Sequence, residues 1–210
     1  MTPDDIERLF TRNGAYAFAR WGRPIAPVVF GVNDATLAVL RGALEAVAQL
    51  AGRPLAETDP ELGSNLMIFF FREWDELLGV PDLGELVPDL PATVARLKAA
   101  DANRYRAFRY DEAGAIRAGF VFLAMRGGLE NLPAETIAFS EAVETVLAWG
   151  EAAFAESAPV ARHPETGATV VKPEIAAVIR AAYDPVLPDR AEDPSHALRL
   201  FARIGREWRE

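Results

Sequence analysis

Apolar residues recur at three- and four-residue steps along Leu37, Leu40, Leu44, Val47 and Ala51, while Arg41, Glu45 and Gln49 line the other side. That period predicts an amphipathic helix, capped by Asn33 or Asp34 and closed by Gly52. The pattern then changes: Leu66-Met67-Ile68-Phe69-Phe70-Phe71 is apolar without alternation, which predicts a strand over 64–71 covered on both faces. Residues 23–31 read as another strand. Pro24 and Pro27 each remove a ladder donor there, so an edge position or a bulge near Pro27 is expected. The clearest hairpin pairs 104–110 with 115–125 across the turn Asp111-Glu112-Ala113-Gly114.

The remaining elements follow from punctuation. Thr2 as N-cap, Pro3 at the first helical position and Asp4 and Asp5 on the positive dipole end predict an opening helix. Residues 72–103 are a helical excursion broken at Gly79-Val80-Pro81 and Val87-Pro88, ending in a helix from Asp89 to about Ala100. Gly127-Gly128 closes the second hairpin strand, and Pro133 opens an apolar-faced helix expected to reach about Phe154. Residues 156–172 read as a loop, followed by helices over 173–183 and 194–208, the latter capped by Asp193. The whole chain, 1–210, is predicted to be one α+β domain: a small mixed sheet with a β-hairpin, packed by several helices, and a helical C-terminal part.

Composition narrows the function classes. Half of the 210 residues are hydrophobic, enough for a sizeable core. The net charge of −9 disfavours nucleic acid, which needs a basic face. The absence of cysteine removes disulfides, thiolate metal sites and a thiol nucleophile. The longest apolar run is far short of the roughly 20 residues that cross a bilayer, and the acidic N-terminus has no signal-like apolar stretch. A cytoplasmic protein without membrane contact is expected.

The chain has neither a phosphate-binding glycine loop nor a Gly-x-Ser-x-Gly elbow. Ser195 and His196 are adjacent on a helix and diverge by roughly 100°, which is wrong for a nucleophile–base pair. His163, beside Glu165, and His196 are the only histidines, distant candidates for a metal with a carboxylate such as Glu144. The strand phenylalanines 69, 70, 71, 120 and 122 are expected in the core. Trp21, Trp74, Trp149 and Trp208 flank elements, where an indole buries its ring and still donates.

Three segments carry a resemblance: Arg20-Trp21-Gly22-Arg23-Pro24-Ile25 with the strand, long helix and Ala51-Gly52-Arg53-Pro54-Leu55 after it; Gly63-Ser64-Asn65-Leu66-Met67-Ile68-Phe69-Phe70; and Ile179-Arg180-Ala181-Ala182-Tyr183-Asp184-Pro185-Val186-Leu187-Pro188. Together they make the chain similar to an uncharacterised proteobacterial family with a zincin-like, metallopeptidase-like arrangement. The resemblance implies a His-Glu-x-x-His helix, with Glu polarising a zinc-bound water. The matching window here is Ser140-Glu141-Ala142-Val143-Glu144, so Glu141 keeps the base position while Ser140 and Glu144 replace the histidines.

The expectation is therefore a non-catalytic α+β module without a cofactor, binding another protein or its own copy. The alternatives are a metal-dependent hydrolase built on Glu141 with Glu144, His163 or His196, and a small-molecule binder with Arg23, Tyr183 and Asp184 at a cleft. The physical role expected of Tyr183-Asp184-Pro185 is a helix stop.

Overall fold

A computed structural model describes residues 1–207, with side chains described for 1–205. Helix α1 (Pro3–Leu9) opens with a reciprocal capping box between Thr2 and Asp5. Strands β1 (Thr11–Arg12) and β2 (Ala15–Tyr16) form a hairpin across Asn13-Gly14, whose φ angles are 47° and 76°. Positive φ at both central residues is what a type I′ turn requires and what Asn-Gly supplies. Next come β3 (Phe18–Ala19), β4 (Pro27–Phe30), α2 (Asp34–Leu50) and β5 (Leu66–Phe71). A 3-10 turn at Trp74–Gly79, then α3 (Leu83–Leu86) and α4 (Leu90–Ala99), lead to β6 (Arg104–Tyr110) and β7 (Ile116–Ala124). The rest is α5 (Ala134–Val146), β8 (Val160–Arg162), β9 (Thr169–Val171), α6 (Pro173–Ala182), β10 (Arg190–Ala191) and α7 (Ser195–Glu207).

The main sheet has four strands in the order β4-β5-β7-β6, with β4, β5 and β7 parallel and β6 antiparallel at one edge. Three two-stranded pairs, β1-β2, β3-β10 and β8-β9, complete an α+β fold. Pro27 begins the opposite edge strand, where a missing N–H is tolerated. Central β5 has a parallel neighbour on each side and a core on each face, which accounts for its unbroken apolar run. The larger core joins Leu40, Leu44 and Val47 of α2 to Ile68, Val121, Leu123, Val143 and Val146. The smaller, on the other face, joins Trp74, Val94 and Leu97 to Phe71, Phe120 and Phe122, with Phe69 packed against it. Each large side chain so buried contributes about 1.5–3 kcal/mol.

Several boundaries differ from the sequence expectation. Leu37 is 40% exposed, whereas Leu40, Leu44, Val47 and Ala51 are buried as expected, and Ala43 and Ala48 join their stripe. The stretch 156–172 is not a plain loop, because β8 and β9 pair across the His163–Ala168 turn. Trp208 lies outside the described residues. Helix α5 stops at Val146, well before Phe154. Its last carbonyls are captured by distant donors: Trp21 Nε1 bonds Thr145 at 2.8 Å and the Tyr183 hydroxyl bonds Val146 at 2.6 Å. Leu147 turns extended and bridges Arg20, while the Ala148 N–H donates to Ala19 at 2.9 Å.

Arg20 ties these parts together. It is only 4% exposed. Its Nη1 donates to the carbonyls of Ala182 (2.6 Å) and Asp184 (3.0 Å), its Nη2 to that of Leu187 (2.8 Å), and its Nε meets Asp189 Oδ1 at 2.6 Å. A cation is thereby placed at the negative end of α6, where the helix leaves carbonyls without partners. Arg20→Met is expected to cost about 3–5 kcal/mol, since buried carbonyls and Asp189 lose their donor together. Urea unfolding would measure it, and a loss below about 1 kcal/mol would mean that water replaces the guanidinium.

Candidate functional site

A cleft of about 690 Å³ runs along β6, lined by residues 104–110 of that strand, by Arg12 and Glu144, and by Trp149–Glu151 with Phe154 and Ala155. The phase of the ladder decides what the strand offers. Residues 103 and 124 bond through the Ala124 N–H and the Asn103 carbonyl, and the register continues as 104↔123, 105↔122 and 106↔121. Antiparallel pairs alternate between bonded and non-bonded. Tyr105, Ala107 and Arg109 therefore spend their backbone groups on β7. Arg104, Arg106 and Phe108 turn theirs to the free edge, which has no strand partner among the described residues.

The same two-residue period puts the side chains of Arg104 and Arg106 on one face of the sheet, and they meet Glu141 and Glu144 of α5. Arg106 contacts both carboxylates, Glu141 Oε2 through Nη2 at 2.6 Å and Glu144 Oε2 through Nη1 at 2.6 Å. Arg104 Nε lies 3.3 Å from Glu141 Oε1 without hydrogen-bond alignment. Glu141 is fully buried. Burial acts to lower the Arg106 guanidinium, but the charges of Glu141 and Glu144 outweigh it and hold the group above its ordinary value. Burial raises the Glu144 carboxyl more than Arg106 lowers it, and Glu141 adds to the rise. Two anions on one helix turn are thus balanced by two cations from the strand.

Arg12 closes one end of the cleft. The β1-β2 hairpin carries it, and its Nε donates to the Trp149 carbonyl at 3.2 Å and its Nη1 to the Tyr110 hydroxyl at 2.9 Å. Gly150 permits this approach. A Cβ there would stand 2.3 Å from the Thr11 carbonyl oxygen, and the Gly150 N–H bonds Leu9 at 2.7 Å. Trp149 is fixed by stacking on Phe10, with centroids 5.1 Å apart, and by its own Nε1–Val143 bond of 2.8 Å.

The residues singled out from sequence fall in different places. Glu141 and Glu144 reach the cleft as guanidinium partners. His196 is buried beside Phe18, with Nδ1 2.8 Å from the Tyr16 hydroxyl. His163 belongs to the β8-β9 turn, where Nδ1 accepts from the Glu165 and Thr166 N–H groups. Among the described residues no three His, Asp or Glu side chains gather as metal ligands. A hydroxyl at Ser140 and a carboxylate already paired at Glu144 do not fit the zinc that the resemblance implies.

Arg23 pairs with Asp59 at 3.4 Å and Glu61 at 3.0 Å. Burial acts to raise the Asp59 carboxyl, but donors from Leu62, Glu61 and Asn65, with Arg23 alongside, bring it below the usual value. Tyr183 is buried under Arg20 and Arg53, bonded to Trp21 and Val146. Asp184 accepts from the Val186 N–H at 2.8 Å and from Arg203 at 2.7 Å, just after α6 ends. Arg12, Arg104 and Arg106 belong to no sequence motif and are brought to the cleft by the fold. Asn13-Gly14 and the arginine alternation on β6 were the available signals. Comparison with family models, curated proteins and solved structures finds no match.

Two outcomes are expected. Glu141→Gln should cost about 2–4 kcal/mol in urea unfolding, since it leaves buried guanidinium charge uncompensated; an unchanged midpoint would show that the ion pairs carry no net stability. His196 is held down at about 4, chiefly by burial and then by Arg199, Arg20 and Arg203. Between its ordinary value and about 4 the unfolded chain binds the extra proton, so stability falls as pH drops through that window. The change amounts to about 3 kcal/mol. His196→Gln should flatten this part of the stability–pH curve, and an undiminished slope would assign the proton to another group.

Proposed function

We propose that this chain is a non-catalytic, cytoplasmic protein-binding module that receives an extended segment of a partner along the free edge of β6. The observation that carries this reading is the outward backbone of Arg104, Arg106 and Phe108 beside a long cleft. An added strand would satisfy these groups and lay alternate side chains against the Trp149–Ala155 wall. The guanidinium contacts of Glu141 and Glu144 support the non-catalytic part, because both carboxylates are engaged rather than free to act as a general base.

Amide hydrogen exchange tests this directly. Peptides are selected on the immobilised protein from a displayed random library, and one of them is added to the free protein. The amides of Arg104, Arg106 and Phe108 should exchange quickly in the free chain and slowly in the complex, while those of Tyr105, Ala107 and Arg109 are protected in both. Protection elsewhere, or a library that yields no binder, would overturn the reading.

A further inference from the structure

We infer that the Arg12–Tyr110 end of this cleft is a carboxylate subsite, which takes an Asp or Glu side chain of the extended segment. This rests on the reading of β6 as a docking edge and adds the chemistry of the occupant.

The cations along this cleft divide into charges already spent and charges left over. Arg106 is neutralised by Glu141 and Glu144, and Arg104 shares Glu141. Arg109 belongs to the other ladder phase and donates to the Leu86 carbonyl at 2.9 Å. Arg12 differs from Arg104 and Arg106. Its partners are a carbonyl and a phenol, and no carboxylate lies within ion-pair distance of it among the described residues. The guanidinium has five N–H donors, and two contacts leave some of them available. Tyr110 is 41% exposed and accepts from Arg12, so its own O–H remains a donor. A half-buried cation beside a phenolic donor matches the two oxygens of a carboxylate, and charge-assisted bonds of this kind are the stronger class.

Geometry places the subsite at a boundary. Arg12 and Tyr110 line both the long cleft and a second one of about 240 Å³. They meet at the end of β6, where the ladder register breaks between Arg109 and Tyr110. A strand laid along the edge therefore has Arg12 at one end and the neutralised pairs at Arg104 and Arg106 along its length. Its acidic residue is expected at one end of the bound segment, not along its length. Trp149 and Gly150 fix the height of the cation, since Gly150 lets the Thr11 backbone lie against the wall.

The test uses N-acetylated, C-amidated heptapeptides with randomised positions, screened against the full chain by fluorescence binding. Selected ligands should carry Asp or Glu at one terminal position of the bound register, and its change to Gln should weaken binding about tenfold. Arg12→Gln should abolish that preference, so that it binds the acidic peptide and its Gln counterpart alike, and Arg12→Lys should retain part of it. Tyr110→Phe should reduce the preference without removing it, which keeps the test readable if Arg12→Gln unfolds. Ligands that protect the β6 amides but show no acidic preference would overturn the subsite and leave the docking edge standing. Preference for a free C-terminus over its amide would move the carboxylate to the chain end and also overturn it. Failure of every peptide to protect the β6 amides would remove both.

Discussion

A single buried guanidinium holds the two ends of this chain in register. Arg20 sits between the N-terminal strands and the last turn of α6, and its bonds go mostly to carbonyls rather than to a carboxylate. This is economical in a core. Carbonyls at a helix end need donors in any case, and one side chain with donors in a rigid fork serves that of Ala182 together with those of Asp184 and Leu187 in the segment after the helix. The cation over the Tyr183 ring, at 5.5 Å, extends the contact to α5 through the tyrosine hydroxyl.

The cleft follows from that anchor. Trp21, next to Arg20, and Tyr183 together take the terminal carbonyls of α5, and the helix ends where they do so. The chain released at Leu147 then runs extended past Trp149 and Gly150 and becomes the wall facing β6. A longer helix would have carried those residues in a different direction. The segment 20–26 is fixed a second time by Asn65, whose amide bonds the Ala26 N–H, the Pro24 carbonyl and Asp59. The three sequence stretches that carried the resemblance thus include Arg20, Trp21, Asn65 and Tyr183, all of them fold-determining contacts.

Where local pattern and tertiary setting agree, the sequence was legible. The caps of α1 and α2, the buried run of β5, the β6-β7 hairpin and the stop after α6 are each written in neighbouring residues. The end of α5 is not, because its cause is a tryptophan and a tyrosine far away in the chain. The β8-β9 pair was obscured by short strands and a polar turn. Glu141 and Glu144 were recognisable as a carboxylate pair one turn apart, but a carboxylate reads alike whether a metal or a guanidinium faces it. Arg104 and Arg106 decide that, and only the fold brings them to α5.

An open strand edge is also a template for the chain's own kind, since any exposed row of N–H and C=O groups invites edge-to-edge pairing. The arginines on β6 bear on that hazard. Two copies zipped along this edge would meet little like-charge repulsion from Arg104 and Arg106, because both are already paired with the carboxylates of α5. The same ion pairs that quiet the charge on this strand leave its edge without an electrostatic guard.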